Sequence, residues 1–304
     1  MGSKGGSATS GAAAKLSSSS RAFPEDLTGS VAVVTGASRG AGRGIALSLG
    51  ERGATVYVTG RTVRGAAAVD GLPGTIDETA ELVSARGGVG IPIRTDHTVD
   101  RDVETLFAQV YADQQRLDLL VNNVWGGYEG QPSNADFDAP FWEQPLSRWD
   151  KMLVAGVRAT MVASYFAARL MLPARRGLIV ATSLDKGPDD WNVEHHQGGP
   201  FSVFYDTAKT AINRMVMGMA VDLSPHRIAV IAISPGWMRT EAVLRAHDPT
   251  PDFLARTQSV EYVGRAIAAL ATDRHVFAKT GQIMRVGQLA REYGFVDVDG
   301  TQPD

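Results

Sequence analysis

No cysteine occurs among the 304 residues. Disulfides, thiolate nucleophiles and cysteine-ligated metals are excluded, although the absence alone does not fix a compartment. Charge of one sign is not in excess: 30 basic and 33 acidic side chains leave a net charge of −3. That balance gives no reason to expect nucleic acid or an anionic membrane as partner. No uninterrupted apolar run approaches the ~18 residues of a membrane span, so the expectation is a soluble, cytoplasmic protein. Aromatic residues are sparse, at 7%, and tryptophan is absent from the first hundred residues. All five tryptophans lie from Trp125 to Trp237, which places the bulky walls of any site beyond the first hundred residues.

What is present is an alternating pattern. Residues 1–24 are rich in Gly, Ser and Ala and are expected to form a flexible tail. An organellar transit peptide shares that composition, but the amphipathic apolar face is missing. Residues 25–304, with 44% hydrophobic content along the whole chain, suffice for one large domain. β-Branched runs at 31–35, 55–59, 90–95, 117–122, 178–182, 228–233 and 282–286 predict strands. Segments of helical period at 42–52, 76–86, 101–114, 146–172, 202–223 and 260–272 predict helices between them. Apolar strands alternating with helices imply a doubly wound, seven-stranded parallel sheet with helices on both faces, in a single α/β domain. Two connections are long, 125–145 and 184–199, and both leave the carboxyl ends of strands, where such sheets bind ligands.

The first strand runs into Thr35-Gly36-Ala37-Ser38-Arg39-Gly40-Ala41-Gly42 and then a helix. In that context Gly36 permits a tight turn, Gly40 lets backbone approach a pyrophosphate, and Gly42 lets the helix pack close. The amides at the helix start face the anion. An acidic residue ending the second strand would bond a ribose 2′-hydroxyl, but the chain has Gly60 and Arg61 there. Arg61 and Arg39 suit a 2′-phosphate instead, so NADP(H) is expected in preference to NAD(H). The alternative is that both arginines are solvated surface residues.

Tyr205 and Lys209 are four residues apart on a predicted helix. They share a face and differ by only ~6 Å in height. An ammonium so placed stabilises the neighbouring phenolate and fits the tyrosine for acid–base work.

With these residues the chain resembles the short-chain dehydrogenase/reductase family from about residue 27 to residue 286. The family's glycine motif falls on Thr35, Gly36, Gly40 and Gly42, and its Tyr-x-x-x-Lys pair on Tyr205 and Lys209. Its adenine-contacting Asp falls on Asp96, and its Asn-Asn-Ala-Gly segment is imperfectly matched by Asn122-Asn123-Val124-Trp125-Gly126. Its nicotinamide-side segment falls on Pro235, Gly236 and Thr240. Residues 141–143, 168–173 and 289–300 resemble one branch of the family. The resemblance implies a Rossmann-type fold and an enzyme that moves hydride between a nicotinamide cofactor and a small-molecule carbonyl or alcohol. Tyr205 would be proton donor, with Lys209 also bonding the nicotinamide ribose. Ser38, Arg39 and Asn123 join the cofactor set. It implies no membrane or nucleic-acid partner and a homodimer or homotetramer built on helices 146–172 and 202–223.

Two departures stand out. The family's helix asparagine aligns with Gly156, and gapless alignment puts the catalytic serine on Leu184, with Ser183 one residue early. Either the loop shifts so that Ser183 serves, or Ser183 satisfies backbone at the strand end and another group binds the carbonyl oxygen. These departures leave open a catalytically weak NADP-binding sensor or subunit as the alternative. Trp125, Trp191 and Trp237 each follow a strand's carboxyl end and suit a bulky, apolar carbonyl compound. Trp149 reads as a core residue at the start of the long helix, and 237–257 as a substrate lid. No metal site is expected: His195 and His196, near Asp189, Asp190 and Glu194, read as a solvated loop. His97 reads as local structure.

Overall fold

The computed structural model describes residues 26–66, 71–127, 139–185 and 203–304. Strand β1 (Val31–Val34) is β-branched at three of its four positions and buried throughout. Helix α1 (Gly40–Glu51), β2 (Thr55–Gly60), α2 (Ile76–Ala85), β3 (Val89–Arg94), α3 (Asp100–Gln114) and β4 (Leu119–Asn122) follow. The second half holds α4 (Leu146–Met171), β5 (Gly177–Thr182), α5 (Val203–Leu223) and β6 (Ile228–Ser234). After these come α6 (Glu241–Ala246), α7 (Pro251–Arg256), α8 (Val260–Thr272), β7 (Ile283–Arg285) and α9 (Val286–Tyr293).

The seven strands form one sheet in the order β3-β2-β1-β4-β5-β6-β7, with every pairing parallel. Pro92, which has no N–H to donate, lies in the edge strand β3. Two apolar clusters cover the sheet, one on each face. One packs Ile45 and Leu49 of α1 with Val263 and Ile267 of α8. The other packs Leu106 and Phe107 of α3 with Ala163 of α4 and Ile212 of α5. The order reverses direction between β1 and β4, and a crevice opens beyond their carboxyl ends there.

Three features depart from the sequence expectation. Helix α4, continuous over 26 residues as expected, is by length and composition long and apolar enough to cross a membrane, where no such span was expected. Ala163, Ala167 and Met171 of this helix pack on the sheet, and 33% of its most apolar stretch is buried. Its middle, Met152–Arg158, is π-helical and contains Gly156. The chain after β7 forms α9, where the sequence had suggested an extension of the strand to residue 286. The segment after α9 then folds back, and the buried Asp297 accepts the Ser259 N–H at the start of α8 (2.8 Å). Much of both long connections lies outside the described residues.

Candidate active site

The crevice is stitched by Thr35 and Asn123, the residues that follow β1 and β4. Thr35 Oγ1 accepts the N–H groups of Asn123 (2.9 Å) and Val124 (3.2 Å). Asn123 Nδ2 donates to the Thr35 and Gly36 carbonyls, both at 3.2 Å. Thr35 therefore shapes the floor, and the lining begins at Gly36. Helix α1 sits hard on this floor: a Cβ at Gly42 would come within 2.3 Å of Gly36 O and 2.6 Å of Asn123 Nδ2. No side chain fits there, so Gly42 is fixed by close approach, as the sequence suggested.

A cavity of about 380 Å³ runs from this loop toward α5. Ser38, Arg39, Gly40, Arg61 and Asp96 line one end. Asn123, Ser183, Tyr205, Lys209, Pro235, Gly236 and Thr240 also line it. The fold thus brings to one cavity all the expected cofactor and catalytic residues except Thr35 and Gly42, which lie beneath it. At the α1 N-terminus, Gly40 N–H donates to Glu241 Oε2 at 2.9 Å. Sequence reasoning missed Glu241, because its proximity depends on the chain returning after β6. Arg39 donates to Thr62 Oγ1 (3.2 Å) and the Gly74 carbonyl (3.4 Å), so its guanidinium lies beside the residues that follow β2.

Asp96 is part-buried, which pushes its carboxyl up. The Thr98 hydroxyl (2.7 Å) and N–H (3.0 Å) outweigh this and hold it below the ordinary carboxylate range. His97 is buried and burial pulls it down to about 4, so the ring is neutral. Thr59 Oγ1 donates to the Val34 carbonyl (3.1 Å) and therefore accepts from His97 Nε2–H (2.8 Å).

The second end of the cavity holds Tyr205 and Lys209. Tyr205 is half-buried and Lys209 is buried, one turn apart on α5. Burial pulls the Lys209 ammonium down to about 7. Its Nζ donates to the Thr182 carbonyl at 3.2 Å and lies 3.9 Å from the Trp125 ring centroid. Trp125 also meets the Tyr205 ring edge-to-face at 5.3 Å. Gly156 also lies against the indole: a Cβ there would be 2.6 Å from Trp125 Cζ3.

Ser183 lines the cavity, but its hydroxyl donates to the Lys209 backbone carbonyl at 3.1 Å. Asn213 Nδ2 donates to the Leu184 carbonyl at 2.8 Å. These two bonds tie the end of β5 to α5. In this arrangement Ser183 satisfies backbone, the second of the two expectations for it, and Leu184 lines the cavity beside it.

The tryptophans divide. Trp125 lines the cavity, whereas Trp237 does not; it is 45% exposed and packs edge-to-face on His247 and Phe253. Trp237, expected to wall the substrate pocket, thus packs on its own strap and not on the cavity. Trp191, with His195 and His196, lies outside the described residues. Trp149 is half-buried against Phe204. The expected lid is a strap of two short helices, α6 and α7, in which Thr240 caps α6 by accepting Val243 N–H (3.3 Å). The strap is moored by Arg239, which pairs with Asp297 (3.4 Å) and Asp299 (3.3 Å) of the C-terminal segment.

Comparison with known proteins agrees with this geometry. The family model described as short chain dehydrogenase matches residues 30–249. Dehydrogenase/reductase SDR family member 1 of Mus musculus is 37% identical over 287 residues, covering 90% of this chain and 85% of that protein. The Homo sapiens protein of the same name is 34% identical over the same coverage. This is the branch that residues 141–143, 168–173 and 289–300 resemble. A solved 7α-hydroxysteroid dehydrogenase, complexed with NADH and 7-oxoglycochenodeoxycholic acid, shares the fold. Its TM-score is 0.68 at 22% identity, with 92% of this chain and 97% of that one covered.

Proposed function

The chain belongs to the short-chain dehydrogenase/reductase family, a family of NAD(P)-dependent oxidoreductases acting on alcohol and carbonyl groups, and from that premise we propose that it is an NADP(H)-dependent carbonyl reductase acting on a bulky, largely apolar ketone. The residues present fit the cofactor. The α1 N-terminus already accommodates a carboxylate at Gly40, the kind of anion a pyrophosphate would present. Gly36, Gly40, Asp96, Asn123, Pro235 and Thr240 would hold the dinucleotide along the cavity. Bound nicotinamide supplies the hydride chemistry. The preference for NADP(H) is supported by Arg61 and Arg39, which offer guanidinium groups at the end of β2, where no carboxylate stands.

The chain's own contribution is a proton. Tyr205 donates its phenolic proton to the oxygen of the substrate carbonyl, and Lys209 stabilises the phenolate left behind. The single observation that carries this reading is the placement of both groups on the cavity that starts at the glycine loop. Apolar lining near the pair comes from Val124, Trp125, Ala155, Leu184 and Met238, which supports a bulky apolar substrate. Exposed Met161, Tyr165, Met217 and Val221 on α4 and α5 support assembly into a homodimer or homotetramer through those helices.

Tyr205→Phe tests the role: NADPH oxidation with a panel of quinones, diketones and steroid ketones should vanish, while NADPH binding stays within about twofold. Retained turnover would remove Tyr205 as the donor. One observation favours a second reading, an NADP-binding sensor with little turnover: the Ser183 hydroxyl is engaged by the Lys209 carbonyl. Tight NADPH binding with no oxidation across the panel would select that reading.

A further inference from the structure

We propose that Trp125 is a positioning residue of the acid–base pair: its indole face holds the Lys209 ammonium beside the Tyr205 phenol, and residue 156 is glycine to make room for that ring. The inference rests on the reading of Tyr205 and Lys209 as the acid–base pair and adds a job to a residue expected only to wall the substrate. Removing an ammonium from water is costly unless something replaces the water. Among the described residues, Lys209 Nζ has the Thr182 carbonyl at 3.2 Å and the Trp125 ring at 3.9 Å. Tryptophan is the strongest cation–π partner, and a desolvated contact is the strongest kind. The Tyr205 ring is farther from the ammonium, at 5.6 Å.

The indole is held by α4 as well. Cβ positions built at Gly156 lie 2.6 Å from Trp125 Cζ3 and 2.8 Å from Cε3, so any other residue would displace the ring. The following residues are seated on the same helix. A Cβ at Gly126 would lie 2.9 Å from Ala155 Cβ, and one at Gly127 would lie 2.5 Å from Met152 Cγ. The π-helical turn Met152–Arg158 is thus shaped to the segment that carries Trp125. One ring touches both members of the pair, since Trp125 meets Tyr205 edge-to-face at 5.3 Å. Among the described residues, three charged groups on the surrounding elements are engaged elsewhere. Asp185 pairs with Arg285 (2.6 Å), Arg148 bonds Gln144 (3.1 Å), Arg158 pairs with Asp100, and Asp206 on α5 itself is common to every variant compared.

The test needs no substrate. Tyr205 ionisation is followed by tyrosinate absorbance against pH, each protein being referenced to its own Tyr205→Phe partner. Taking away the indole face leaves Lys209 less readily protonated, so the phenolate loses support. In Trp125→Leu the Tyr205 midpoint should rise by about 0.5 to 1.5 pH units, and in Trp125→Phe by less. Gly156→Ala should reproduce the rise without altering either member of the pair, and adding it to Trp125→Leu should add nothing. An unchanged midpoint in Trp125→Leu and Gly156→Ala, both folded by circular dichroism, would overturn the inference and leave the pair standing. A midpoint in the unsubstituted protein no lower than that of free tyrosine would overturn the pair as well.

Discussion

The Glu241 carboxylate accepts the Gly40 N–H at 2.9 Å, closing 201 residues of sequence onto the first turn of α1. The amide there is one of the unsatisfied donors of a helix N-terminus, where a negative charge is favoured. A dinucleotide pyrophosphate would call on the same donors, so Glu241 and the pyrophosphate would compete for this amide. Removing the charge while keeping the shape should therefore help the cofactor. Glu241→Gln is expected to bind NADPH about two- to fivefold more tightly, the scale of one helix-terminus charge interaction. Calorimetric titration checks it. Weaker binding would mean that Glu241 helps to hold the dinucleotide and does not compete with it.

Arg61 tests cofactor choice. It lines the cavity just after β2, within electrostatic reach of Asp96 and His97. A charge-assisted bond to a 2′-phosphate is worth ~1.5–3 kcal/mol, or roughly 10- to 100-fold in affinity. Arg61→Ala should weaken NADPH binding by about that factor and leave NADH binding within about twofold. Equal losses for both cofactors would assign Arg61 to the common part of the dinucleotide and withdraw the NADP(H) preference.

What the sequence made legible was whatever depends on local period or on a single residue type. The β-branched run at 31–35, the Gly36–Gly42 spacing and the four-residue step from Tyr205 to Lys209 each carry their own reason. The parallel pairings follow from that alternation, whereas the strand order is read from the fold. What stayed hidden was set by long-range packing. Ser183 was known to stand near the right place, but its hydroxyl direction depends on the Lys209 carbonyl 26 residues away. Gly156 looked like the loss of a functional side chain; in the fold its missing Cβ is the space taken by Trp125. Trp237 looked like a wall because it follows β6, yet the strap turns it toward His247 and Phe253. The strap's mooring on Asp297 was invisible, since a carboxylate in a polar C-terminal stretch carries no sign that it will be buried.

His97 offers a prediction about stability. Buried in the cavity wall, it is held down to about 4, against 6.5 for an unperturbed imidazole. Its folded-state value is depressed, so between pH 6.5 and 4 the unfolded chain takes up a proton that the folded chain refuses. The contribution is complete above 6.5 and is lost as the pH falls toward 4. From pH 7 to pH 5 the linked loss is about 2 kcal/mol, since each unit below 6.5 costs ~1.4 kcal/mol. His97→Gln cannot titrate. It should be the less stable protein at pH 7, where it lacks the imidazole bonded to Thr59, and the difference should narrow by about 2 kcal/mol at pH 5. Urea unfolding at the two pH values measures both quantities. A constant difference would mean that His97 is protonated in the folded protein at pH 5, with an acceptor found for the new charge.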